Sequence, residues 1–136
     1  MSFTAYRRIS EDGAREGKVI HVPPKVSYSD LLKSTSIGCL TVMLDRHQTG
    51  PVKMEKIKHE DYVLWLSLLR RGLIAYGLDE DLARYRVVKS SITSNKLKSV
   101  SWVWNIYRNV EHLGIFQSAY YFVQYLSYAA KKGRTL

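Results

Sequence analysis

His59, Glu60 and Asp61 stand in a row at the head of an apolar run, Tyr62 to Leu69. Imidazole and carboxylate side chains are the usual groups for moving a proton to or from a reacting atom. A carboxylate in the first turn of a helix is held by a rigid element. Backbone N–H groups and the helix dipole also favour its ionised form. Such a group suits a base. The same placement suits two acids that only favour a helix start, and on the local pattern alone that plainer reading is the stronger.

The elements that must hold these residues follow from patterning. Phe3 to Ile9 reads as a strand, Glu11-Asp12-Gly13 as a turn and Lys18 to Val22 as a second strand, a hairpin that Pro23-Pro24 stops. Ser27 caps a short helix through about Lys33. Ile37 to Leu44 is short, apolar and β-branched, so it reads as a buried strand, and Asp45 to Gly50 as a polar turn. His59 to Arg71 reads as a helix, with Val63, Leu64, Leu66, Leu68 and Leu69 on its apolar face and Gly72 at its end. Leu73 to Leu78 and Leu82 to Val88 read as two strands around the acidic turn Asp79-Glu80-Asp81. Ser94 or Asn95 caps a long helix through about Leu113; Gly114 breaks it, and a last helix runs from about Ile115 to Lys131.

This order predicts an α/β body, residues 1–93, followed by a C-terminal helical hairpin, residues 94–136. A mixed sheet of so few strands has exposed edges, which places its missing partners upstream of residue 1.

Composition bounds the rest. The chain has 136 residues, 46% of them hydrophobic, enough for one domain with a core. No stretch is long and apolar enough to span a membrane, and Met1 to Arg8 lacks the apolar centre of a secretory signal. Cys39 is the single cysteine, which fits a reducing compartment and leaves no cysteine metal cluster. A net charge of +9 favours anionic partners without choosing among them.

The ordered set of segments carries a resemblance. Glu60-Asp61-Tyr62 with Leu64-Trp65-Leu66 resembles the Glu-Asp motif of family 2 glycosyltransferases with the GT-A fold. Tyr28 to Lys33 and Ile37 to Met43 upstream are similar to that family in order. So are Ala75 to Leu78, Leu82 to Arg86 and Ser91 to Lys98 downstream, so the resemblance covers nearly the whole chain. It implies an incomplete GT-A (Rossmann-like) mixed sheet and inverting transfer of a sugar from a nucleotide-sugar donor to a glycan or lipid-linked acceptor, in cell-surface polysaccharide synthesis. Asp61 is the implied base, with Glu60 beside it. A base held within reach of the acceptor hydroxyl contributes about 10²–10⁴-fold.

The resemblance implies other roles. Tyr62 and His59 fall in the substrate region. Trp65, one turn beyond Asp61, either stacks on a sugar ring or fills the core. Arg86, Lys89, Ser90 and Ser91 lie where the family closes over the donor pyrophosphate. The complete enzyme is expected to use a divalent cation, Mg or Mn. Asp79-Glu80-Asp81 matches the letters of the family's Asp-x-Asp metal motif but follows the Glu-Asp helix instead of preceding it, so no metal site is assigned to this chain. No Gln-x-x-Arg-Trp stands downstream, which favours addition of a single sugar.

The family's donor-binding first half is not among these residues. The chain alone is therefore expected to be inactive and to act with that half or a second copy. Trp102, Trp104, Tyr107, Phe116, Tyr120, Tyr121, Phe122, Tyr125 and Tyr128 crowd the C-terminal helices beside basic residues. They suit either an anionic membrane surface or packing on a protein partner. The expected setting is the cytoplasm and the inner face of the membrane. A non-catalytic, transferase-derived assembly protein is the alternative. A nucleic-acid-binding module is a weaker one: no dense basic stripe or recognition motif appears, and nucleic acid is not an expected partner.

Overall fold

The computed structural model describes residues 1–88 and 96–132, with the side chains of 96–99 and 132 outside the description. The described residues form an α/β fold with a four-stranded mixed sheet and five helices.

β1 (Ser2–Ile9) and β2 (Glu16–Ile20) form the expected antiparallel hairpin. β3 (Lys25–Val26) leads into α1 (Tyr28–Leu32). The Ser27 side chain accepts from the Asp30 amide while the Asp30 carboxylate accepts from the Ser27 amide, a reciprocal cap.

Ile37 to Leu44 is not a strand. A 3₁₀ turn occupies Cys39–Thr41, and Met43 makes one antiparallel bridge to Ser2. The reason lies at the edge of β1, where alternate residues send their amides the same way. Ser2 bonds Met43, the Thr4 amide donates to the Thr41 hydroxyl at 3.2 Å, and Tyr6 pairs with Ile20 of β2. A side chain satisfies Thr4, so the segment covers that edge without a ladder. The predicted polar turn at 45–50 is a one-turn helix, α2 (Arg46–Thr49), capped by Asp45.

α3 (Glu60–Arg70) buries Tyr62, Leu64, Trp65, Leu66, Leu68 and Leu69 and ends at Gly72, whose φ of 91° suits glycine alone. The two strands expected after it are one, β4 (Ala75–Arg86), which runs straight through Asp79–Asp81. It pairs parallel with β1 and antiparallel with β3, giving the order β2-β1-β4-β3. Its register to β1 shifts twice, between Leu78 and Asp81 and between Asp81 and Ala83. The bulge absorbs the acids because each has a partner elsewhere. Asp79 accepts from the Val22 amide at 3.0 Å and lies 2.9 Å from His21 Nδ1; Asp81 pairs with Arg7 and Arg84. At Gly77 a Cβ would come within 2.1 Å of the Pro23 carbonyl oxygen, so only glycine fits between β4 and the stop after β2.

α4 (Lys96–Asn105) continues as a π-helical turn, Ile106–Val110, with the Glu111 amide reaching Ile106 O at 2.8 Å. Its proposed caps, Ser94 and Asn95, lie outside the described residues. After Gly114 comes α5 (Ile115–Lys132). Val103, Ile106, Tyr107 and Tyr125 from these helices join Phe3, Leu31, Leu32, Leu66 and Leu68 in one core.

Candidate active site

Two buried tyrosines fix the position of α3. The Tyr62 hydroxyl donates to Leu31 O at 3.0 Å, and the Tyr107 hydroxyl donates to Leu32 O at 2.5 Å; the two hydroxyls lie 3.3 Å apart. They meet carbonyls at the end of α1, where Leu31 O also accepts from the Ser34 amide at 3.0 Å. Tyr28 and Glu111 add a second tie, 2.6 Å between the phenol oxygen and the buried carboxylate, with Arg70 at 3.3 Å. The helix carrying Asp61 is therefore locked against α1 and the C-terminal helices.

At its head, His59 adopts a left-handed conformation, φ 58°, and turns the chain into α3. Its ring meets Trp102 edge to face at 5.1 Å. Burial lowers the imidazole pKa below its usual 6.5, and the charges of Asp61 and Glu60 oppose that shift only in part. Its Nε2 is buried without a hydrogen-bond partner among the described residues.

Glu60 is exposed and Asp61 half-buried. One Asp61 oxygen accepts from the Tyr62 amide at 2.8 Å. The carboxylate's charge is felt by groups from two other parts of the chain. After burial, its charge is the main influence raising the Cys39 thiol and the Tyr125 phenol, the latter to about 12. Near this head, Lys56, Ile57, Lys58, Trp102, Asn105 and Ile106 line an open groove of about 480 Å³. The Lys58 ammonium sits 5.5 Å over the Trp102 ring. An aromatic face and two cations thus share this groove, a combination suited to a ring with an anionic substituent. The groove reaches the head of α3 through Trp102, which meets His59, and Asp61 is not among its lining residues.

The structure does not bring every expected residue there. Tyr62 is 8% exposed, and its hydroxyl is committed to the α1 carbonyl, so it supports the site from within. Trp65 is 3% exposed; the ring fills the core and has no face free to stack on a sugar. Arg86 does not stand free for a pyrophosphate: it donates to Glu11 O at 2.7 Å and holds the β1–β2 turn. Lys89, Ser90 and Ser91 lie outside the described residues. Sequence reasoning missed Lys58 and Trp102 as neighbours of the head of α3, and Tyr125 as the ring packed on Tyr62 beside Asp61. The density of aromatics after residue 100 was the one available signal.

The residues present do not fit the divalent cation that the GT-A resemblance implies. Asp79 and Asp81 are engaged by His21, Val22, Arg7 and Arg84, and no group of three His, Cys, Asp or Glu among the described residues is placed to hold a metal.

Comparison with known proteins bears on this arrangement. The chain is similar to bacterial glycosyltransferases. It is 48% identical over 132 residues to the putative teichuronic acid biosynthesis glycosyltransferase TuaG of Bacillus subtilis (strain 168), covering 96% of this chain and 52% of the relative. It is 36% identical over 117 residues to the Escherichia coli UDP-Glc:alpha-D-GlcNAc-diphosphoundecaprenol beta-1,3-glucosyltransferase WfgD, covering 85% and 46%. An uncharacterized glycosyltransferase of Haemophilus influenzae is 33% identical over 109 residues, covering 79% and 44%. The chain spans about half the length of the curated relatives it matches. No protein-family model and no solved structure matches it.

Proposed function

We propose that this chain is the acceptor-binding half of an inverting family 2 glycosyltransferase of the GT-A kind. The activity is transfer of a sugar from a nucleotide-sugar donor to a glycan or lipid-linked acceptor in cell-surface polysaccharide synthesis. The observation that carries the reading is Asp61, half-buried at the head of a locked helix beside a groove of cations and an aromatic face. The relatives' names support it: one is named for teichuronic acid biosynthesis and another for glucosyl transfer onto a diphosphoundecaprenol-linked sugar.

In this reading Asp61 accepts the proton of the acceptor hydroxyl as its oxygen attacks the anomeric carbon, and the nucleotide leaves with the bonding electrons. Glu60 adds negative charge at the helix mouth. Trp102 offers a face to the acceptor sugar, and Lys56 and Lys58 offer charge to its phosphate. The divalent cation is assigned to residues outside this chain, while Lys89, Ser90 and Ser91 are the residues of this chain that would close over the donor pyrophosphate. Joining the chain to a donor-binding half of matching sequence tests the reading. The joined protein transfers sugar from a nucleotide-sugar donor to an acceptor, and the 136-residue chain alone does not. Transfer by the chain alone would overturn this division of labour.

A further inference from the structure

α5 carries apolar residues on two sides. One side is buried, with Tyr125 edge-on to Tyr62 and Phe122 edge-on to Trp104. The other is bare. Phe116 is 89% exposed, Val123 61%, Ile115 58%, Tyr120 55% and Leu126 37%. At 3.6 residues per turn these five fall within an arc of about 140°. No acid stands anywhere in the helix. A monomeric protein seldom leaves so continuous an apolar stripe in water.

Charge is concentrated in the same part of the chain. Residues 82–136 contain nine Lys and Arg and a single acid, Glu111. That acid is buried, its side chain 1% exposed, against Tyr28 and Arg70. Arg84 and Arg86 are engaged on the sheet, and the other seven cations set against Glu111 leave an excess of six over residues 89–136. Two copies meeting through α5 would bring like charges together, whereas an anionic surface would neutralise them.

We propose that α5 lies in the plane of an anionic lipid surface, its bare stripe bedded at the boundary between headgroups and acyl chains. An amphipathic helix with aromatics on its apolar side and cations nearby binds in this way, through apolar burial plus attraction to anionic lipid. The docking has a consequence for the site, and this step rests on the reading of a lipid-linked acceptor. Tyr125 on the buried side of α5 packs edge-on against Tyr62, the residue after Asp61. A bilayer under the opposite side sets the carboxylate about one helix thickness, ~10 Å, above the lipid. A phosphate-linked sugar on a membrane-held acceptor occupies that layer.

Flotation of the full 136-residue chain with lipid vesicles tests the proposal. The vesicles are phosphatidylglycerol mixed with phosphatidylcholine, and phosphatidylcholine alone, at low salt without donor or acceptor. The chain floats with the anionic vesicles and binds the neutral ones about tenfold less. Combining Phe116→Asp with Val123→Asp lowers anionic binding by at least about tenfold. Circular dichroism and Tm stay unchanged, because both side chains already sit in water. Absence of flotation with anionic vesicles, or flotation unaffected by the double substitution, overturns the proposal. A wild-type dimer in sedimentation equilibrium that the double substitution dissolves also overturns it, since the stripe then belongs to a second copy. Flotation is read without any transfer reaction, so failure of the transferase reading leaves this result intact.

Discussion

Tyr62 on α3 and Tyr125 on α5 meet edge to face with ring centroids 6.3 Å apart, and the charge of the neighbouring Asp61 adds to burial in raising the Tyr125 phenol to about 12. The two residues are far apart in sequence and meet because α1, α3 and the C-terminal helices share one core. The candidate base therefore has a neutral hydroxyl beside it at any physiological pH. Among the described residues no cation forms an ion pair with the Asp61 carboxylate, and the residue is only half-buried.

The lock behind that arrangement has a measurable strength. Glu111 is buried, and Tyr28 donates to it at 2.6 Å. Tyr28→Phe removes one hydrogen bond to a buried carboxylate and is expected to cost about 1.5–3 kcal/mol. Urea unfolding of the wild type and the variant gives the difference. A change below about 0.5 kcal/mol would show that Arg70 and solvent satisfy Glu111 without the phenol.

His59 gives the chain a pH-dependent weakness. Burial holds its imidazole below the usual 6.5 in the folded state. Unfolded, the ring titrates near that usual value, so between the two pKa values the unfolded chain binds more protons. Stability contributed through His59 is therefore lost as pH falls through about 6.5 towards the folded value. His59→Asn keeps a residue tolerant of the left-handed backbone and removes the titration. The Tm lost between about pH 8 and pH 5.5 is expected to be smaller in the variant. Equal losses would place the acid sensitivity elsewhere.

Trp65 separates a core role from a sugar-stacking one. The ring is 3% exposed, and its indole N–H is buried without a partner among the described residues. Trp65→Phe removes an unsatisfied donor at the expense of some volume. It is expected to cost less than about 1.5 kcal/mol and to leave transfer by the joined enzyme within a few-fold. A tenfold loss of kcat/KM at unchanged stability would return Trp65 to the substrate.

What the sequence revealed and what it hid follow one physical division. α1, α3 and α5 were legible because their signals are local: the Ser27–Asp30 cap, the apolar spacing before Gly72, and the break at Gly114. The strand expected at 37–44 failed because apolar, β-branched composition describes burial and not pairing. Thr41 satisfies Thr4 with a hydroxyl, so no ladder is needed there. The acidic break expected in β4 failed for the opposite reason: Asp79 and Asp81 read as a turn, yet His21, Val22, Arg7 and Arg84 neutralise or bond them across strands. The candidate base could be named from its helix start alone. Its surroundings could not, since Trp102 and Tyr125 reach the helix head, at His59 and Tyr62, only through tertiary packing.

The base assignment meets its most direct test in the joined enzyme carrying Asp61→Asn. The amide keeps the size of the side chain but cannot accept a proton at neutral pH. Steady-state transfer from the nucleotide-sugar donor should fall by at least about 100-fold in kcat, with Tm and vesicle flotation unchanged. Transfer within a few-fold of wild type would contradict the account and leave the helix head as structure alone.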